Sequence, residues 1–302
     1  MGVAIIGVGR FGLNYLKTLS SLNIPIDWIC SNSKQSLSTA LDIYKNPVKT
    51  TTNYKDIINS KKTSTIFIST PAITHYNIAK DCLTAGKNVL LEKPFSTSSK
   101  HAQELKKISL EKKVVLMVGH LHVFNPAIKK IKEDLKLFGK IRYIQMVQTG
   151  NGPIRKDVGS VWDFAPHFLS ILDFLLENVP KKISYNGSSF FTINKDDVFS
   201  LNLDFEENIF ASLFASWIHP EKQMKLIISA ENGYVLFSDY DKNKLHYILN
   251  GNKQKIEIEE CFPLTEQIRY FINCIDKNIS PILNNVDKAI SITKLIEKTE
   301  EK

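Results

Sequence analysis

The residues Val3-Ala4-Ile5-Ile6-Gly7-Val8-Gly9-Arg10-Phe11-Gly12 decide how this chain folds. Val3 to Ile6 is a short apolar run of strand type, and from residue 11 to 22 apolar residues recur at helical spacing. Between the two stand glycines at 7, 9 and 12, a G-x-G-x-x-G spacing. In a strand–turn–helix setting Gly7 makes the tight turn, Gly9 lets the backbone approach a pyrophosphate, and Gly12 lets the helix pack close to the sheet. Val8, Arg10 and Phe11 complete the loop, and the N–H groups at the start of the helix point at the anion. The alternative is a glycine-rich turn with an empty helix N-terminus.

Strands are expected over 26–30, 65–69, 88–91 and 114–119, alternating with helices over 54–58, 74–85 and 98–110. This rhythm predicts a parallel, doubly wound α/β sheet. After residue 119 the texture changes. Helices over 126–137 and 162–176 flank a strand over 141–149. Strand-like runs follow at 182–188, 198–205, 209–217, 224–229, 233–238, 244–248 and 255–258, joined by short turns such as Glu206-Glu207-Asn208 and Asn250-Gly251-Asn252. Helices over 265–274 and 286–298 close the chain. The expected organisation is a Rossmann dinucleotide-binding domain over 1–118. An α+β domain with a large, mostly antiparallel open sheet follows over 119–302, for substrate binding and oligomerisation.

With 302 residues, 43% apolar and 23% charged, the chain has ample core for one large or two ordinary domains and is not disordered. The longest apolar run, 114–124, is broken by Gly119, His120 and His122, so no membrane span is expected. No basic leader precedes the first strand, which reads as the absence of a secretory signal. Cys30, Cys82, Cys261 and Cys274 stand far apart without a C-x-x-C pair, as reduced cytoplasmic thiols do, and neither a disulfide framework nor a zinc site is expected. Residues 1–140 hold 21 Lys and Arg against 9 acids, and residues 141–302 hold 18 against 22. Only four of the 39 basic residues are Arg, which argues against base readout in nucleic acid; attraction of a polyanionic nucleotide is the better use of that charge.

An NAD-selective site usually carries Asp or Glu at the end of the second strand. Here Ser31-Asn32-Ser33-Lys34 takes that place, with hydroxyl, amide and lysine donors and no carboxylate to repel a 2′-phosphate. The reading favours NADP, with NAD as the second choice, against a plain polar loop. Leu91-Glu92-Lys93-Pro94 lies at the carboxyl edge of the sheet, where Lys93 is either a proton-transferring group or a solvated charge. Asp163 and His167 lie four apart on one helix face. Asp163 reads as an N-cap or a sugar-hydroxyl ligand, and His167 as a half-buried amphipathic residue or a base. His120 and His122 would face one side of a strand, but no third ligand is indicated and no metal is expected.

The order of motifs resembles the Gfo/Idh/MocA oxidoreductase family over essentially the whole chain. The resemblance rests on Gly7 to Gly12, Ile68-Ser69-Thr70-Pro71 with His75, and Ala85 to Pro94. It continues through Val118-Gly119-His120, Phe124-Asn125-Pro126-Ala127, Phe138-Gly139-Lys140-Ile141 and Trp162-Asp163-Phe164-Ala165-Pro166-His167. The last block is similar to the branch of nucleotide-sugar dehydrogenases of surface-glycan synthesis. The resemblance implies a catalytic or substrate-orienting Lys93 beside the nicotinamide, with Ser69, Thr70, Pro71, His75, Glu92 and Trp162 around the cofactor. It also implies dimers or tetramers packed through the open sheet. Phe168 departs from an Asp common after the histidine, and the glycine run before Asp163 is reduced to Val158-Gly159-Ser160.

These readings combine into reversible oxidation of a secondary hydroxyl of a sugar, at C3 of a UDP- or dTDP-linked hexose derivative. His167 or Lys93 takes the hydroxyl proton, Asp163 orients the ring, and His120 joins the substrate contacts. Arg155 and Lys156 either receive the diphosphate or face solvent in their loop. The alternatives are a free polyol or inositol dehydrogenase, and a non-catalytic NADP(H)-binding regulator of the same fold.

Overall fold

A computed structural model describes residues 2–300. The chain divides into two compact units, one comprising residues 1–121 and 262–294, the other 122–261 and 295–302.

The first unit contains β1 (Gly2–Ile6), α1 (Gly12–Ser21), β2 (Ile26–Cys30), α2 (Lys34–Ile43), β3 (Lys49–Thr51) and α3 (Lys55–Ile58). These are followed by β4 (Thr63–Ile68), α4 (His75–Thr84), β5 (Asn88–Glu92), α5 (Ser99–Lys112) and β6 (Leu116–Gly119). The six strands are parallel in the order β3-β2-β1-β4-β5-β6, so the order reverses between β1 and β4, where open α/β sheets bind their ligands. Successive side chains alternate between the two faces of the sheet, and both faces are buried. Ala4, Ile6, Ile66, Ile68, Val89 and Leu91 pack towards α4 and α5. Val3, Ile5, Phe67, Leu90 and Met117 pack towards the opposite face with Tyr15, Leu16 and Leu19 of α1. Strands buried on both sides read as continuous apolar runs, which is how they appear in the sequence.

The helix expected near 265–274 is α8 (Pro263–Asp276), and it packs with this first unit rather than with the residues that precede it in the chain. The reason lies in the windings. Both crossovers from β4 to β6, α4 and α5, lie on one face, which leaves Phe67, Leu90 and Met117 needing cover on the other. Ile268, Phe271 and Cys274 of α8 supply it, with the Phe271 and Phe67 rings edge to face at 5.6 Å.

Two elements of this unit lie outside the sequence reading. The polar segment at Ser31 to Lys34 opens α2, with the Ser33 hydroxyl accepting from the Ser36 N–H at 3.2 Å as an N-cap. The short strand β3 then forms the sheet edge. His120 and His122 do not share a strand face: β6 ends at Gly119, and residues Leu121–Phe124 form a 3₁₀ turn.

The second unit contains α6 (Pro126–Asp134), β7 (Ile141–Asn151), α7 (Ser160–Leu176), β8 (Lys182–Ser188), β9 (Val198–Asp204) and β10 (Phe210–Ser216). It continues with β11 (Ile218–Ala230), β12 (Gly233–Ser238), β13 (Leu245–Leu249) and β14 (Asn252–Lys255). The eight strands run β14-β13-β12-β11-β7-β10-β9-β8, antiparallel throughout except for the β7–β10 pair. The last hairpin turns at Asn250 and Gly251, both with positive φ, so its return strand falls at 252–255 rather than 255–258. One face is a core of Ile144, Met146, Leu201, Leu213, Leu226 and Ile228, and α7 packs on β9 and β10. The other face leaves Phe210, Phe214 and Tyr234 exposed, with Tyr143 stacked on Phe210. The closing helix α9 (Val286–Glu297) places Ala289 and Ile290 in the core of the first unit. Among the described residues no helix is long and apolar enough to cross a membrane.

Phe271 is 0% exposed and Phe262, just before α8, is 81% exposed. Phe271→Ala is expected to cost about 3–5 kcal/mol in urea unfolding, the range for deleting a buried aromatic. Phe262→Ala is expected to stay within about 0.5 kcal/mol, as an exposed position should. Equal effects would contradict the packing of α8 on the uncovered sheet face.

Candidate active site

The site residues named from the sequence fall into two groups, one in each unit. In the first, Gly7 has φ +93° and its N–H donates to the Cys30 carbonyl at 2.8 Å. A Cβ on Gly12 would stand 1.9 Å from the Gly7 carbonyl oxygen, so α1 approaches the turn as closely as a glycine permits. Ser69 Oγ donates to that same carbonyl at 2.7 Å and ties the end of β4 to the turn. A Cβ on Gly9 would meet nothing within 4 Å. The loop thus presents open space at Gly9 beside the start of a helix with no acidic residue in its first turn, which fits a dinucleotide pyrophosphate.

Ser31, Asn32, Ser33 and Lys34 lie at the start of α2. The Ser31 hydroxyl accepts from the Ser33 N–H at 3.2 Å, and Lys34 is exposed. Thr70 and Pro71 precede a 3₁₀ turn, with the Thr74 hydroxyl donating to the Thr70 hydroxyl at 2.8 Å. His75 is buried beneath them. Its Nδ1 faces the Pro94 carbonyl at 2.8 Å and its Nε2 the Thr70 carbonyl at 2.9 Å, so the ring braces the turn after β4 against the turn after β5.

Glu92 ends β5 and Lys93 follows it. The Glu92 carboxylate accepts the Tyr15 hydroxyl at one oxygen and the Lys93 N–H, at 3.2 Å, at the other. His120, buried at the end of β6, is held through its carbonyl by Asn284 Nδ2 at 3.0 Å. Burial first, and the Lys93 charge second, push its imidazole down to about 3, so His120 is neutral near pH 7. Tyr15 and Asn284 were not legible as site residues: Tyr15 reads as one more apolar helix position, and Asn284 lies far along the chain.

In the second unit, Asp163 and His167 lie on α7, whose N-cap is Gly159. Asp163 therefore sits beyond the cap. The cap itself is supplied from elsewhere: the Asp196 carboxylate accepts the Val161 N–H at 2.7 Å and the Ser160 hydroxyl, and its carbonyl accepts the Ser160 N–H at 2.7 Å. Next to it, Asp197 gathers N–H groups of Phe190 and Phe191 at 2.6 and 2.7 Å and the Trp217 indole at 2.7 Å. Burial opposes its ionisation, but the hydrogen bonds outweigh it and hold its carboxyl at about 2.

Arg155 is engaged by two carboxylates, Asp157 at 3.0 and 2.9 Å and Asp163 at 3.3 Å. Lys156 is exposed, and its carbonyl accepts from the Lys195 ammonium. The His167 ring meets the His122 ring edge to face at 4.7 Å. Trp162 is buried, with its indole N–H donating to Glu300 at 2.5 Å. Phe168 is buried against Phe199, so its side chain belongs to the core. Among the described residues no cluster of three metal-ligating side chains occurs.

Two expectations follow. Gly9→Ala should leave thermal unfolding unchanged while weakening nicotinamide dinucleotide binding at least about tenfold, whereas Gly12→Ala, forced against backbone, should destabilise the fold itself. For His120 the folded pKa lies below the unfolded one, so its contribution to stability is present above pH ~6.5 and is lost as pH falls towards about 3. Between pH 6.5 and 5 the wild type should therefore lose about 2 kcal/mol more than His120→Gln in urea unfolding. Parallel pH dependences would contradict a buried neutral imidazole.

Residues 1–120 match the family described as oxidoreductase family, NAD-binding Rossmann fold, and residues 134–236 match the GFO/IDH/MocA C-terminal domain. The chain is 22% identical over 286 residues to UDP-N-acetylglucosamine 3-dehydrogenase of Acidithiobacillus ferrooxidans, covering 91% of this chain and 88% of that one. A crystal structure of that dehydrogenase superposes with a TM-score of 0.88 at 20% identity over 99% and 96% of the two chains. GenD2 from gentamicin A biosynthesis, in complex with NAD, gives 0.88 at 19% identity over 100% and 93%. An inositol 2-dehydrogenase/D-chiro-inositol 3-dehydrogenase of Lactiplantibacillus plantarum is 26% identical over 136 residues, 43% of this chain and 38% of its own. With both family domains matched in order across most of its length, the chain belongs to the Gfo/Idh/MocA oxidoreductases.

Proposed function

We propose that this protein oxidises, reversibly, a secondary hydroxyl of a sugar, at C3 of a nucleotide-linked hexose derivative. The observation that carries the reading is the grouping of Glu92, Lys93 and neutral His120 at the carboxyl ends of β5 and β6, where this sheet type binds its ligands. The sugar-nucleotide class rests on the end-to-end similarity to the UDP-N-acetylglucosamine 3-dehydrogenase.

Nicotinamide, when bound, supplies the hydride acceptor. Residues 7–12 would hold the dinucleotide's pyrophosphate, and Thr70 and Pro71 would line the nicotinamide end of the site. Ser31, Asn32, Ser33 and Lys34 favour NADP over NAD: no carboxylate stands at the end of β2, and hydroxyl, ammonium and helix-terminal N–H donors suit a 2′-phosphate. Lys93 or His167 takes the hydroxyl proton as the carbon gives up its hydride, and the same group returns it in the reverse direction. Asp163, held by Arg155 at 3.3 Å, binds a neighbouring hydroxyl. His120, neutral, accepts or donates a hydrogen bond without adding charge beside Lys93. Arg155 keeps part of its donor fork for a diphosphate, with Lys156 beside it. The exposed aromatic face of the eight-stranded sheet suits pairing with a second copy into dimers or tetramers. Its four cysteines are all free, in keeping with a cytoplasmic protein.

The similarity to the inositol dehydrogenase over 43% of the chain favours a free polyol as the second reading. A single-turnover mixture of stoichiometric protein, NADP or NAD, and a panel of UDP- and dTDP-sugars, free sugars and polyols, followed by nicotinamide absorbance, decides between them. Hydride transfer from one nucleotide sugar to the nicotinamide is expected, and Lys93→Met should slow it by roughly 10²–10⁴-fold. Transfer only with sugars lacking the nucleotide would move the assignment to polyols. Cofactor binding without transfer from either class, unaffected by Lys93→Met, would contradict an enzyme and point to an NADP(H)-binding regulator.

A further inference from the structure

We propose that Tyr15 is a positioning residue for Lys93, acting through the carboxylate of Glu92. The inference deepens the proposed function, because it rests on Lys93 as the lysine that meets the substrate.

Tyr15 lies on α1, one turn past Gly12, and is 0% exposed. Its ring is wedged between Phe11 and Phe67, with centroids 5.4 and 5.3 Å away, so packing fixes where the hydroxyl points. It points at Glu92 Oε1 and donates to it. Burial, and then the Glu92 charge, raise the tyrosine pKa well above its ordinary value, so the hydroxyl keeps its proton and remains a donor.

Glu92 is 6% exposed. Its other oxygen accepts the Lys93 N–H, so the carboxylate spans the gap from α1 to the first backbone group of the lysine. Room for it exists because its partner across the β5–β6 pair is Gly119. A Cβ there would come within 2.6 Å of Glu92 Oε1. The result is a relay of tyrosine hydroxyl, carboxylate and lysine amide. It ties the turn that carries Lys93 to the same helix that opens at the glycine loop. Charge-assisted hydrogen bonds of this type are roughly twice as strong as neutral ones. If Glu92 loses the Tyr15 hydroxyl, its carboxylate can rotate and the Lys93 backbone loses its fixed direction.

A tyrosine that merely filled the core would affect all of the unit alike. Residue-resolved amide exchange on the full chain separates the two roles and needs no substrate. In Tyr15→Phe, which keeps the ring, the Lys93 amide is expected to exchange at least tenfold faster, while the amides of β1 and β4 keep wild-type protection. In the hydride-transfer assay the same variant should lose about tenfold in kcat with cofactor affinity within twofold. Glu92→Gln keeps the shape but carries no charge and only one acceptor oxygen, so it cannot accept from both Tyr15 and Lys93; it should give the same selective release, and it covers the case of a Tyr15→Phe chain that does not fold. An unchanged Lys93 amide in a folded variant overturns the relay whatever the activity, as does faster exchange spread evenly over β1, β4 and Lys93. A selectively released amide beside undiminished turnover upholds the relay and counts instead against Lys93 as the lysine of the reaction.

Discussion

The closeness of Gly12 to the Gly7 carbonyl is the constraint on which the first unit is built. At 1.9 Å from the place a Cβ would occupy, nothing larger than glycine lets α1 start where it does. That approach sets the helix N-terminus at the open end of β1, next to the point where the strand order reverses. It also sets Tyr15, one turn later, directly beneath the end of β5. The pyrophosphate loop and the lysine turn are therefore positioned by one helix, and Ser69 binds the next strand to the same carbonyl. The proposed dinucleotide and lysine sites thus both lie at strand ends and helix starts.

The second unit solves a similar problem with carboxylates. The helix bearing Asp163 and His167 has glycine at its cap, which offers no side chain to satisfy the first N–H groups. Asp196, arriving from the loop before β9, supplies that acceptor at the cost of desolvating its own charge, and its carboxyl is raised in consequence. Asp197 has the opposite outcome: the donors that converge on it together outweigh its burial, and its carboxyl is lowered to about 2. Asp163 in turn is matched by Arg155, so the polar end of α7 is an ordered charge network before any substrate arrives.

Much of this was readable from local pattern. The glycine turn, the alternation of strands and helices over the first 119 residues and the run of hairpins after 182 all rest on short-range rules of spacing and turn chemistry, and they appear close to where those rules put them. What escaped depends on partners distant in sequence. The affiliation of α8 with the first unit follows from an uncovered half-face of a sheet, which no property of residues 263–276 announces. Asp196 carries no mark of a cap because its helix lies 36 residues earlier in the chain. The pair His120 and His122 misled through an assumed strand; the chain turns at Gly119, and each histidine meets different neighbours. Glu92 and Lys93 were found by motif, but the tyrosine that steadies them looked like core and is core as well.

The central claim is that the glycine loop and the Lys93 turn form a nicotinamide site with a preference for the 2′-phosphate. Equilibrium titration of the purified chain with NADPH and with NADH, followed by the fluorescence of the reduced nicotinamide, tests it most directly. Saturable binding of one dinucleotide per chain, tighter for NADPH, is the result predicted. Failure of both to bind would contradict the site, and tighter binding of NADH would contradict the role given to Ser31, Ser33 and Lys34.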